Sequence, residues 1–168
     1  DKSALNGFVA IARVLNGAWQ VQGSVFTGLL DGYLSDAYKA RDVRPDERQL
    51  YGITARSRYF VKALNAAAHT DYRYYSDDWG IESHTLELSW HQSITSQFQL
   101  VPLVRYYTQS QADFYVDSDS ISNTGEQSSD ARLSPFGALT YGLGAVYNTA
   151  AYRLTANLEQ YEGDADYA

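Results

Sequence analysis

Eight polar side chains carry much of the chemistry this sequence offers. Arg56 and Arg58 fall in one strand-like run, His69, Asp71 and Arg73 in a second, Glu87 and His91 in a third, and Glu159 in a fourth. Within each run the spacing is even, which places such residues on one side of an extended chain. A wall holding His, Asp and Glu has the groups to bind a metal or shuttle protons. The same groups also satisfy one another as an ordinary hydrogen-bonded network. We adopt that second reading and assign no metal to these residues. Arg56, Arg58 and Arg73, with Arg105 and Arg153, form a basic ladder of the kind that sets anion preference in pores. Pairing with Asp71, Glu87 and Glu159 is expected to neutralise much of it.

A second constellation is Asp77-Asp78-Trp79-Gly80 between two long runs. It reads as a tight hairpin, with Gly80 free to take positive φ. Trp79 is expected to cap the apolar wall. The acidic pairs Asp77-Asp78, Asp117-x-Asp119 and Asp164-x-Asp166 offer oxygens to Ca²⁺, a hard cation that needs several. They lack the glycine and distal glutamate of an EF-hand loop. Solvated loop charge is therefore the first reading and a bound Ca²⁺ the second. His84 is in phase with Leu86 and Leu88 and reads as interfacial, not as a ligand.

No catalytic apparatus is visible. The 168 residues contain no Cys, which removes thiolate zinc sites and Cys nucleophiles. There is no GxSxG, phosphate-binding glycine loop or HExxH. We expect no enzyme and no resident cofactor. A net charge of -7 argues against nucleic acid as the partner.

These side chains need strands to position them. Fifteen Tyr sit among Thr, Val, Ile, Phe and Trp, which suit a pleated surface. In residues 85–91, Leu86, Leu88 and Trp90 alternate with Thr85, Glu87, Ser89 and His91. In residues 152–159, Tyr152, Leu154, Ala156 and Leu158 alternate with Arg153, Thr155, Asn157 and Glu159. Breakers divide the chain into about eight strands, near 4–14, 19–30, 49–61, 66–76, 83–93, 98–109, 133–147 and 152–161. The connections alternate: 15–18, 62–65, 94–97 and 148–151 are short and nearly uncharged. Segments 31–48, 77–82, 110–132 and the tail from Glu162 are longer or acidic, and hold 16 of the 20 acids. The pattern predicts an all-β, antiparallel up-and-down meander in a single domain, with tight turns at one end and acidic loops at the other.

Runs of 9–13 residues exceed the usual strand of a soluble sandwich and match a tilted strand crossing about 25 Å of hydrocarbon. Aromatic residues followed by Ser/Asp, as in GYLSDAY, YRYYSDDWG and VRYYTQSQADFY, suit a membrane interface. No apolar stretch approaches the roughly 18 residues of a spanning helix. The chain is expected to form all or part of an outer-membrane β-barrel. The alternative is a soluble β-sandwich binding module with acidic, Ca-gripping loops.

GYLSDAYKARDVRPDER, YRYYSDDWGIESHTLELSWHQ, VRYYTQSQADFY and the stretch Arg132 to Ala138 resemble, in that order, family 3570 of the numbered domains of unknown function. The resemblance covers most of residues 4–162, and the DDWGIxSHTLEL block is specific. Ala37 stands where the family pattern YLSDPYK has Pro. The resemblance implies a bacterial outer-membrane barrel, with membrane lipids and lipopolysaccharide around it. It implies a passive channel, or a scaffold for an envelope partner in redox or export work. It supplies no catalytic residues. Family members are longer, so the chain, which begins at Asp1 and lacks a terminal aromatic strand, is expected to be part of a larger barrel.

Overall fold

The computed structural model describes residues 2–39, 41–118 and 125–164. One antiparallel sheet contains β1 (Lys2–Asn16), β2 (Trp19–Gly32), β3 (Glu47–Val61), β4 (Ala66–Asp77), β5 (Glu82–Ser93), β6 (Phe98–Gln109), β7 (Phe136–Asn148) and β8 (Arg153–Asp164). Spatial order follows chain order, so this is the expected up-and-down meander. The sheet is open. No ladder joins β1 to β8 among the described residues. No helix among them is long and apolar enough to cross a membrane.

Local chemistry closes the tight turns. The Asn16 side chain accepts from the Ala18 N–H at 2.9 Å. Thr95 Oγ1 accepts from the N–H groups of Gln97 and Phe98. Thr149 Oγ1 does the same for Ala151 and Tyr152. Asn65 takes the left-handed conformation, φ 47°, that ends a short 3-10 turn over Lys62–Leu64. Asn and Thr favour such turns because their side chains replace a missing backbone partner.

The strands run 12 to 15 residues, longer than alternation alone indicates. Backbone pairing continues past the apolar stretch, with Lys2 opposite Gly32 and Ser3 opposite Asp31. β7 starts three residues later than expected. The Asp130 carboxylate accepts from the Arg132 N–H, so Ala131–Leu133 turns as a 3-10 helix instead of extending. The tail expected to be a loop from Glu162 is strand as far as Asp164.

Antiparallel partners point to the same face, so register separates two surfaces. Arg56, Asp71, Glu87 and Arg105 stand directly opposite one another across β3 to β6. One step along, Tyr72, Leu86, Tyr106 and Leu139 form a row on the other face. The apolar face is open: Ile11 is 76% exposed and Leu158 79%. A β-sandwich would bury it under a second sheet, and no such sheet occurs among the described residues. The sandwich architecture is thereby corrected.

The long connections fold over the polar face instead. Trp79, Ile81, Ala112, Phe114 and Leu133 form the buried cluster, and Leu34, Tyr75 and Tyr115 pack against it. Gly80 permits this docking. Its φ is 82°, and a Cβ there would overlap the Asp113 carboxylate. Gly80→Ala should therefore cost about 1–3 kcal/mol, read as a lower urea midpoint. Gly17→Ala, with open space around its Cβ position, should leave that midpoint nearly unchanged.

Candidate functional site

The polar face is organised as rows of matched charge. Arg58 Nη2 donates to both Asp71 oxygens, at 2.9 and 2.7 Å. Arg56 Nε lies 3.1 Å from the same carboxylate. Arg105 donates through Nε to Glu87 Oε2 at 2.7 Å. Arg56–Asp71 and Arg105–Glu87 are directly opposed pairs, with Cβ atoms about 5 Å apart, and Arg58–Asp71 is a diagonal pair, still within reach of a guanidinium fork. One carboxylate thus serves two arginines. Glu159 lies opposite Gly142 on the outermost strand and forms none of these pairs. Arg153, opposite Asn148, is equally remote from them.

Arg73 faces the same side but behaves differently. Its guanidinium lies over the Phe26 ring, 4.9 Å from the centroid. Phe26 in turn occupies the space that a side chain at Gly52 would need. His69 and His91 stack with centroids 3.8 Å apart. His91 Nε2 is 3.3 Å from Ser89 Oγ. No group of three or more His, Asp or Glu side chains is placed to hold a metal among the described residues. His84 lies on the apolar face, its Nδ1 2.7 Å from the Tyr72 hydroxyl.

At the loop end, Asp77 is the hub. Its fully buried carboxylate accepts from Arg48 Nε at 2.9 Å, from the Tyr75 hydroxyl at 2.7 Å, and from the N–H groups of Trp79 and Ile81. Asp78 Oδ1 accepts from the Gln49 N–H at 3.0 Å. Trp79 does not cap the apolar wall, as alternation suggests. Its ring turns into the loop cluster, because Nε1 donates to the Glu47 carbonyl at 2.9 Å and Phe114 meets it edge-on at 5.2 Å. Arg48 covers its other side at 4.3 Å.

A second hub lies beside the first. Arg44 bridges Asp42 and Asp130, each at 2.8 Å, and Arg132 also pairs with Asp130. Ser128 donates to Asp42. Burial works against the charge on Asp42. Hydrogen bonds from the Asp36 N–H, Ser128 and Arg44 outweigh it and hold the carboxyl below its ordinary range. Arg132 holds Asp130 well below that range, with Arg44 adding to the effect. Sequence reading missed Asp42, Arg44, Asp130 and Arg132 as a unit. Their signal is faint: two acids beside two arginines, in loops separated by about ninety positions. The inward-facing acids Asp42, Asp77 and Asp130 are met by protein donors. Asp119 and Asp166 lie outside the described residues.

Two outcomes follow from this wiring. Arg48→Glu places a carboxylate against buried Asp77. Breaking such a pair costs about 3–5 kcal/mol, so proteolysis within residues 110–118 should accelerate strongly. Arg132→Glu, at a position 74% exposed, should accelerate it much less. Equal effects would contradict the hub role of Asp77. The second outcome concerns acid. Asp42 and Asp130 have lowered carboxyl values in the folded chain, so their contribution is complete above the unfolded value near 3.9. It falls away as pH drops below that toward the folded values. Loop proteolysis by an acid-active protease should therefore rise below about pH 4, and Asp130→Asn should flatten that rise.

The profile of one protein family matches residues 1–167, and its description is "Protein of unknown function (DUF3570)". No curated protein and no solved structure matches the chain. The family match spans all eight strands and both hubs. The chain belongs to the DUF3570 family.

Proposed function

We propose that this chain is wall from an outer-membrane β-barrel, acting as a passive channel or as a scaffold for an envelope partner. One observation carries the reading: one face of the sheet is apolar and uncovered, while the opposite face across β3 to β6 is charged and partly covered by loops. Leu5, Val9, Ile11, Val25, Ile53, Leu86, Leu88, Val104, Leu143 and Leu154 are all at least 40% exposed on that face. Exposed apolar patches beyond a few hundred Å² are rare in soluble monomers. In a bilayer the same face is satisfied by lipid, and the arginine rows would line a wet interior.

Dimensions support it. Twelve residues rising about 3.4 Å each, tilted by about 40°, reach roughly 30 Å, enough to cross the hydrocarbon. Aromatic side chains stand near both ends of the apolar face. Trp19, Tyr59 and Tyr147 are near the tight turns, and Tyr51, Tyr74 and Tyr106 are toward the loops. Such girdles fit the two headgroup levels. The acidic loop end would face lipopolysaccharide, whose phosphates need bridging cations to meet it. The role we propose is passive, not enzymatic.

The three tryptophans provide a direct test. Trp19 and Trp90 lie on the apolar face, and Trp79 is in the loop cluster. In vesicles of brominated phosphatidylcholine, single-Trp variants keeping Trp19 or Trp90 should be quenched, and one keeping Trp79 should not. If Trp90 keeps its full emission in a chain that has folded with those vesicles, the lipid-facing assignment fails.

A further inference from the structure

Below the loop cluster, the polar face contains a cavity of about 220 Å³. Arg48, Arg73 and Arg132 line it, along with Thr85, Tyr107 and Gln109, and no carboxylate among the described residues does. The three arginines are not equivalent. Arg48 is held by Asp77, and Arg132 by Asp130 and Asp36. Arg73 has no carboxylate and no hydrogen-bond acceptor among the described residues; its guanidinium lies over the Phe26 face.

Register explains this. Arg73 sits in a row with Thr54, Thr85 and Tyr107, which supplies hydroxyls and no acid. The neighbouring row toward the tight turns already spends its acids, Asp71 and Glu87, on Arg56, Arg58 and Arg105. Stacking on Phe26 fixes the plane of the Arg73 guanidinium and leaves its N–H edges free. That planar fork matches two oxygens of a carboxylate or phosphate. The Thr85 hydroxyl, directly opposite Arg73, makes no hydrogen bond among the described residues and adds a donor. The volume is below the roughly 300–1,000 Å³ typical of sites for drug-sized molecules.

We infer that this cavity binds a small oxyanion, with Arg73 as the binding residue and Arg48 and Arg132 as the positive surround. The inference deepens the channel reading by naming what the polar face would take. Its measurement, however, needs only the folded chain in detergent, so it stands or falls separately from bilayer insertion and Trp quenching.

The test is calorimetric titration at fixed ionic strength in chloride, with inorganic phosphate in one arm and succinate in the other. Saturable binding of one anion per chain is expected in at least one arm, and the stronger arm identifies the class. Arg73→Gln should weaken it at least tenfold. Arg73→Lys, which keeps the charge and loses the fork, should fall between. Arg153→Gln removes the same charge elsewhere on the face and should leave binding unchanged. As a second readout, the bound anion should protect Arg73 from phenylglyoxal in the unaltered chain. No saturable binding in either arm overturns the inference. So does equal binding by Arg73→Gln, or equal loss in Arg153→Gln.

Discussion

The constraint on which everything else depends is register. The side-chain period of a strand is two, so a slip of one residue would exchange the faces of the whole sheet. Here seven successive ladders hold Arg56, Asp71, Glu87 and Arg105 on one side and Leu86, Leu88 and Tyr72 on the other. A slipped strand would strand Asp71 among leucines, away from both of its arginines. The cross-strand ion pairs therefore do more than neutralise charge. They penalise every wrong pairing, and the turn-closing oxygens of Asn16, Thr95 and Thr149 remove slack where a slip would begin.

The loops extend this arrangement beyond the sheet. Their acids repel one another across distances comparable to the roughly 8 Å screening length, so a loose acidic fringe would splay. Asp77, Asp42 and Asp130 are instead turned inward onto Arg48, Arg44 and Arg132. Apolar contact between Trp79, Phe114, Ile81 and Leu133 then closes the cluster. Part of the negative charge that makes this end look like a solvated fringe is thus internal wiring.

The two organisations meet at the cavity around Arg73. Below it, Asp71 and Glu87 pair with Arg56, Arg58 and Arg105. Above it, the loop hubs satisfy Arg48 and Arg132. The level between has hydroxyls and one arginine whose only neighbour of note is an aromatic ring. An arginine without a carboxylate at that height is the charge on which the proposed anion preference rests.

Much of the architecture was legible in the chain. Alternation at Leu86, Glu87, Leu88 and at Leu154, Thr155, Ala156 assigns faces, because a strand has only two sides. The breaker spacing assigns the meander, since short turns permit only neighbouring antiparallel strands. The arginine–Asp71 pairing could be expected once those faces were known. Trp79 could not be placed this way. It lies in a turn, where period-two logic stops, and its position is decided by Phe114 and the Glu47 carbonyl, distant in sequence. The Asp42–Arg44–Asp130 hub is invisible for the same reason. Arg73 shows the limit most clearly. Sequence counts it as one more rung of a ladder, and only the folded register reveals that both nearby acids are already taken.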